Sequence, residues 1–129
     1  MNKTPDNNGE RKVIAVVEGD PAVRNSLVFS LETENFIIRA YARGQDFLDS
    51  AAATPVDALI AEYNLGDITG LDLVDELRLR HFGFPAILIA THPNQTIRRK
   101  AAYRKIPIVE KPLLGNALID KLRELLNQP

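Results

Sequence analysis

Five short apolar runs, separated by longer segments with helical periodicity, place the tightest limit on the fold of this chain. The runs are 13–17 (VIAVV), 36–41, 58–61, 86–90 (AILIA) and 106–109. Short runs of β-branched and aliphatic residues are typical of strands that are covered on both faces. Helices are predicted over 20–35, 46–53, 71–80, 94–104 and 116–126. Strands that alternate with helices in this way predict an α/β domain with a doubly wound, parallel five-stranded sheet.

Two prolines add detail to this outline. Asp20 is a favourable N-cap and Pro21 a favoured first helical residue, so the first helix is predicted to begin there. Pro107 lies in the fifth run and cannot donate a ladder hydrogen bond, which predicts an edge position for that strand. The polar stretch 1–11 is expected to be a flexible tail before one domain over 12–129.

Composition excludes several classes of function. The 129 residues fit one domain, and without cysteine the chain forms neither a disulfide framework nor a thiolate metal site. A net charge of -1 gives no general attraction to nucleic acid or to an anionic membrane. No apolar run approaches about 18 residues, and the N-terminus has no apolar stretch, so we expect a cytoplasmic protein.

Charged residues follow three of the predicted strands at the point where each strand ends. Glu18 and Asp20 follow the first, Glu62 the third and Lys111 the fifth. Because the carboxyl ends of parallel strands meet at one edge of the sheet, we expect three carboxylates and one lysine to converge there. An unpaired buried carboxylate is costly, so Glu62 is predicted to pair with Lys111, with Glu18 as a second partner.

The order and spacing of four segments resemble the receiver domain of bacterial response regulators, which has the CheY-like, flavodoxin-like (βα)5 fold. The segments are VVEGDPAVR, ALIAEYNLGDITGLDL, PAILIATH and VEKP, and the resemblance covers about residues 12–127. It implies a role in two-component or phosphorelay signalling. In that family an Asp at the end of the third strand accepts a phosphoryl group from a phosphohistidine, and acidic residues and a backbone carbonyl bind Mg²⁺. A hydroxyl on the fourth strand, an aromatic on the fifth and a following Lys respond to the phosphoryl group.

This chain departs from that pattern at most of these positions. Glu62 stands at the phosphoacceptor position, and Gly19 stands where the metal-binding acid is expected. At the two switch positions, Ala90 replaces the hydroxyl and Ile108 the aromatic. Gly66 also replaces a usual proline. What remains of the pattern is Lys111 with Pro112, Gly70, the first acid at Glu18, and the Asn64 carbonyl.

These departures predict damage to the phosphorylation chemistry. Glu62 carries its carboxylate about 1.5 Å farther out than Asp does, against a tolerance of about 0.5 Å for a positioned catalytic group. Gly19 removes a ligand from a Mg²⁺ site that would depend on Glu18, Glu62 and the Asn64 carbonyl, so metal binding is expected to be weak or absent. Asp20 would be an alternative ligand, but its role as N-cap competes for the same oxygen.

We therefore predict an atypical single-domain receiver, a pseudo-receiver, which has no enzymatic activity and needs no cofactor. It would signal by protein contact without Mg²⁺-dependent aspartate phosphorylation. Two alternatives stay open at this point. In the first, the chain is still phosphorylated through an unusual acceptor, which is either Asp20 or Glu62. In the second, the chain is a flavodoxin-like module that binds a small molecule. The small-molecule alternative lacks support because no Gly-rich phosphate loop follows the first strand.

The predicted partner is a protein such as a sensor histidine kinase, with neither nucleic acid nor membrane involved. The contact face would comprise helix four, strand five and helix five. Its residues would be Arg98, Arg99, Lys100, Tyr103 and Ile108, and a homodimer through the same face is a second arrangement.

Overall fold

The computed structural model describes residues 10–127, so most of the predicted tail, residues 1–9, lies outside the described part. Its strands are β1 (Val13–Val17), β2 (Ile37–Tyr41), β3 (Ala58–Glu62), β4 (Ala86–Ala90) and β5 (Ile108–Glu110). Its helices are α1 (Pro21–Thr33), α2 (Gly44–Ser50), α3 (Gly70–Leu79), α4 (Gln95–Tyr103) and α5 (Ala117–Leu125).

The five strands form one parallel sheet in the order β2-β1-β3-β4-β5. This confirms the doubly wound α/β fold predicted from the alternating pattern. β1, β3 and β4 lie inside the sheet, and every residue of β3 and β4 is buried. β5 lies at an edge, as Pro107 predicted, although that proline stands just before the strand and its carbonyl accepts from Leu88 N–H.

Two apolar layers cover the sheet, one on each face. On one face α1 and α5 bury Leu27, Leu31, Leu118 and Leu122 against the sheet. On the other face lie α2, α3 and α4, which bury Phe47, Leu77 and Ala101 respectively. Burial of this kind contributes roughly 25 cal/mol per Å² of apolar surface, so both layers hold the strand ends in fixed positions.

α1 begins where the sequence predicts. The Asp20 carboxylate accepts hydrogen bonds from Ala22 N–H at 2.9 Å and Val23 N–H at 3.5 Å, and Pro21 occupies the first helical position. These bonds satisfy two of the amide groups that a helix leaves unpaired at its start. The side chain of Asp20 is therefore engaged by its own helix.

Two elements begin two residues away from their predicted starts. The fifth strand was expected over 106–109 but spans 108–110, because Ile106 N–H bonds to the carbonyl of Ala101 and its side chain fills the core. The second helix was expected over 46–53 but spans 44–50. Its start is capped from outside, since Asp67 accepts from Gly44 N–H at 3.2 Å and Gln45 N–H at 2.9 Å.

The loop between β3 and α3 is held at both ends. Gly70 N–H donates to the Tyr63 carbonyl at 2.7 Å, and Asn64 pairs with Thr69 in an isolated antiparallel bridge. Gly66 adopts a φ of 86°, a left-handed conformation that a proline at this position would not allow. The loop therefore has a backbone path of its own beside the end of β3.

Between residues 10 and 127, no helix combines the length and the apolar character needed to span a bilayer.

Candidate functional site

A buried ion cluster lies at the carboxyl edge of the sheet. The Lys111 ammonium is 3.0 Å from Glu18 Oε1 and also contacts Glu62 Oε1. Glu18 is 2% exposed and Glu62 7%, and among the described residues they are the buried polar or charged ones. The sheet order brings the three together, because β1 and β3 are neighbours and Lys111 N–H donates to the carbonyl of Ala90 at the end of β4.

Glu18 is fixed by its own turn and by Lys111. Its Oε2 accepts from Asp20 N–H at 3.1 Å, while Oε1 has no hydrogen-bond partner in good geometry within 10–127. The 3.0 Å approach of the ammonium is therefore mainly Coulombic, and it is what stabilises that buried oxygen. Arg24 donates to the Glu18 carbonyl at 2.8 Å and holds the same turn from α1.

Glu62 is fixed by the start of α3. A Cβ added to Gly70 would lie 2.5 Å from the Glu62 carbonyl oxygen and 2.7 Å from Leu88 Cδ1, so only glycine fits this approach. The second carboxylate oxygen of Glu62 accepts a long bond, 3.4 Å, from Asn64 N–H. The side chain thus points back toward Lys111 while its backbone is clamped between β4 and α3.

The charges in this cluster are unequal. Two carboxylates share one ammonium, which is a formal charge of -1 in a largely buried position. Burial lowers the pKa of Lys111, but the close contacts and negative charges of Glu62 and Glu18 outweigh it and hold that pKa above its usual value. Lys111 is therefore charged at neutral pH and engaged by both acids.

Asp20 does not join the cluster, so the expected convergence of three carboxylates is wrong on this point. Its side chain is exposed and caps α1, and only its backbone N–H reaches Glu18. The N-cap competition foreseen from the sequence has been decided in favour of the helix. Asp20 is consequently not a ligand of the cleft in this arrangement.

One of the two switch positions, Ala90, borders an open cleft beside Glu62. A cavity of about 440 Å³ is lined by Glu62, Tyr63, Asn64, Ala90, Thr91 and Ile97. Ala90 is 2% exposed and ends β4, whereas Thr91 is exposed in the following turn. Ile108 pairs in register with Leu88 and is half-buried against the core on the α3–α4 face. The cleft therefore has room beside the carboxylate but an apolar wall where a hydroxyl was expected.

The residues present do not fit a divalent cation of the kind that the receiver resemblance implies. Mg²⁺ requires near-octahedral oxygen donors. Here Glu18 and Glu62 are both in contact with the Lys111 ammonium, and Gly19 supplies no side chain. Nowhere in residues 10–127 do three or more acidic or histidine side chains assemble into a metal-binding group. The Asn64 carbonyl is left without the carboxylate partners that would complete a site.

The predicted contact face lies on α4 and β5. Arg98, Arg99, Lys100 and Tyr103 are all exposed, Tyr103 to 88%. Arg98 is occupied by a 2.6 Å ion pair with Glu110 of β5. The outward charge of this helix is consequently carried mainly by Arg99 and Lys100, beside the exposed ring of Tyr103.

Sequence reasoning missed the long-range contacts that hold this architecture. Asp67 caps α2 across a separation of 23 residues, and Arg104 pairs with Asp75 across 29. Neither contact follows from a periodic pattern. The cap by Asp67 did have a local signal, because Arg43 at the N-cap of α2 makes no capping hydrogen bond with its side chain. Another segment must therefore cap the helix.

Five parallel strands with an acid–lysine cluster at their carboxyl edge define a receiver-type signalling module. The chain belongs to the response regulator receiver domain family, whose model matches residues 14–123. It is 27% identical over 89 residues to the transcriptional regulatory protein CreB of Escherichia coli K12, covering 69% of this chain and 39% of CreB. It is 23% identical over 119 residues to the transcriptional regulatory protein TdiR of Thauera aromatica, covering 92% of this chain and 52% of TdiR. The chain thus spans about half or less of the length of these relatives.

Solved structures show the same fold. The crystal structure of FixJ-N superposes with a TM-score of 0.83 at 21% identity, covering 93% of this chain and 97% of that one. A CheY-like receiver domain protein from Methanospirillum hungatei gives a TM-score of 0.84 at 21% identity, covering 92% and 95%. Receiver domains are modules of two-component signalling, and this defines the general role of the chain.

Proposed function

We propose that this domain acts in the cytoplasm as an atypical receiver, which transmits a signal by protein contact and is not phosphorylated through Mg²⁺ and an aspartate. One observation carries the proposal. The Lys111 ammonium lies between Glu18 and Glu62 and engages the acids that a metal-dependent phosphotransfer would need. Both acids are thus already paired with a cation supplied by this chain.

The side chain at position 62 supports the same conclusion. In-line attack on phosphorus requires a carboxylate held within a fraction of an ångström. Glu62 is longer than the usual Asp and bends back to contact Lys111. Ala90 adds no hydroxyl that would bind an incoming phosphoryl oxygen. Both acceptor and receiving group are therefore changed at the same cleft.

The partner that we infer is a protein, such as a sensor histidine kinase or another signalling protein. The surface that supports this lies on α4, where Arg99, Lys100 and Tyr103 are exposed together. Tyrosine and arginine are both enriched at protein interfaces relative to the rest of a surface, so Tyr103 and Arg99 support this assignment. Association of two copies through the same face would be a competing use of it.

The test is an NMR titration of the wild-type chain with Mg²⁺ and beryllofluoride, and separately with acetyl phosphate. We expect amide shifts to stay nearly unchanged around Glu62 and Ala90. The matched control is the double variant Gly19→Asp with Glu62→Asp. A Cβ at Gly19 meets only the Ala42 carbonyl oxygen at 3.7 Å, an ordinary contact, so an aspartate fits there. Saturable shifts in the double variant alone would support the proposal.

Intact mass after incubation with acetyl phosphate distinguishes the rival interpretation. A stable phosphoryl adduct on the wild-type chain, lost in Glu62→Gln or in Asp20→Asn, would show phosphorylation at an unusual acceptor and overturn the proposal. Asp20 is the weaker of the two candidates, because its carboxylate is engaged at the start of α1.

A further inference from the structure

Helix α4 has little apolar attachment to the rest of the domain. Of its residues Gln95–Tyr103, only Ala101 is buried, and Ile97 is half-buried against the core. By comparison α3, with ten residues, buries five. Since one alanine removes little apolar surface from water, packing alone fixes the orientation of α4 weakly. Polar contacts must therefore supply much of what holds this helix.

The strongest of these contacts joins the end of α4 to α3. Arg104, the C-cap of α4, donates from Nε to Asp75 Oδ1 at 2.7 Å and from Nη2 to Asp75 Oδ2 at 2.8 Å. In return Arg78 Nη1 donates to the Arg104 carbonyl at 2.7 Å. Arg104 also donates to the Lys100 carbonyl at 2.9 Å, which closes the last turn of α4. We name the three residues Asp75, Arg78 and Arg104 the α3–α4 clamp.

The clamp has the geometry of a strong pair. Two parallel N–H···O bonds between guanidinium and carboxylate fix orientation as well as distance. The hydrogen bond from Arg104 lowers the pKa of Asp75 and outweighs the effect of burial, so the carboxylate is ionised at neutral pH. The side chains of Arg104 and Asp75 are 22% and 42% exposed, against 47% and 48% for Arg98 and Glu110. Because a bidentate, less exposed pair contributes more than a single exposed contact, the clamp holds α4 more strongly than the Arg98 contact does.

We propose that Asp75 and Arg104 are positioning residues for the α4 contact surface. They hold Arg99, Lys100 and Tyr103 in one orientation through contacts that lie outside the Glu62 cleft. This rests on the proposed function, because it explains how a receiver without phosphorylation presents a formed surface. No member of the clamp contacts Glu18, Glu62 or Lys111 in the hydrogen bonds and ion pairs of residues 10–127.

Hydrogen exchange of the α4 amides, followed by NMR, tests the proposal directly. We expect Asp75→Asn and Arg104→Gln each to speed exchange in α4 by about fivefold, the order for loss of a partly exposed charge-assisted pair. The double variant should exchange no faster than the faster single variant, because both remove the same interaction. Amides of β1 and β3 should keep their wild-type rates, which distinguishes a local effect from global destabilisation.

Two further variants serve as controls. Glu76→Gln removes the exposed 3.0 Å pair with Arg80 on the same helix α3 but leaves the clamp intact, so α4 exchange should not change. Glu62→Gln alters the cleft and should likewise leave α4 exchange at the wild-type rate. The proposal is overturned if Asp75→Asn changes α4 exchange by less than about twofold, or if Glu62→Gln changes it as much as Asp75→Asn does.

The two proposals fail in different measurements. Phosphorylation of the wild-type chain would overturn the proposed function and leave the exchange result intact. Unchanged exchange in the Asp75 and Arg104 variants would remove the positioning role without bearing on phosphorylation.

Discussion

Replacing Lys111 by methionine should be the most damaging single change at the ion cluster. The substitution keeps most of the volume of the aliphatic stem but removes the charge that Glu18 and Glu62 share. Both carboxylates then remain buried with no cation beside them. The folded state therefore loses stability.

The size of the effect follows from the geometry. Oxygens of the two carboxylates contact one ammonium, so they lie within about 6 Å of each other and repel by about 3 kcal/mol at an effective dielectric of 20. Breaking a buried pair by removing one partner typically costs about 3–5 kcal/mol. We therefore expect Lys111→Met to lower the free energy of unfolding by about 3 kcal/mol at neutral pH, a large part of the stability of a domain of this size.

The pH dependence has a definite sign. The pKa of Lys111 is raised above its ordinary value of 10.5, so in the wild-type chain the stability that Lys111 contributes is fully present below that value and lost as pH rises through the folded pKa.

Urea unfolding followed by circular dichroism measures both effects. Glu62→Gln in the Lys111→Met background should recover about 2 kcal/mol, because it removes the repulsion that the first change exposes. The reasoning is refuted if Lys111→Met loses less than about 1 kcal/mol at neutral pH. That outcome would mean that water reaches the carboxylates and solvates them.

Two further substitutions test the frame around the cluster. Gly70→Ala should lower the free energy of unfolding in urea by about 2–3 kcal/mol, because the new Cβ would lie 2.5 Å from a backbone oxygen of β3. Gly83→Ala is the control: its Cβ would have nothing within 4 Å, so the free energy of unfolding should change by less than about 0.5 kcal/mol. Asp67→Ala should cost about 1 kcal/mol by uncapping α2. Burial raises the pKa of Asp67, but hydrogen bonds from backbone amides outweigh it and lower that pKa. The stability that Asp67 contributes is therefore present above the unfolded value of 3.8 and disappears as pH falls through the folded pKa. If Asp67→Ala is still less stable than the wild type below the folded pKa, the capping role is contradicted.

Much of the architecture is predictable from the sequence, because local periodicity and strand chemistry act over few residues. The β-branched run before Glu18 predicts β1, and Asp20 with Pro21 predicts the start of α1. Pro107 predicts the sheet edge. Glu62 and Lys111 were expected to meet, since the carboxyl ends of parallel strands share one edge.

The rest depends on how helices rotate about their axes after they dock, which no local pattern encodes. The α3–α4 clamp requires Asp75 and Arg104 to face each other across 29 residues. The early start of α2 requires Asp67 to arrive from another loop. Asp20 was expected at the cleft with its N-cap role as a competing use of the same oxygen, and only the structure shows that the helix start engages that oxygen.

The closed loop between β3 and α3 limits which changes in chain length this domain tolerates. Its ends are joined by the 2.7 Å bond from Gly70 N–H to the Tyr63 carbonyl and by the pairing of Asn64 with Thr69. Inside it, Leu65 fills the core and Asp67 reaches α2, so each residue has a fixed place along the path. A substitution leaves this spacing unchanged, whereas an inserted or deleted residue would shift every later contact by one place. Relatives that keep this loop should therefore keep its length.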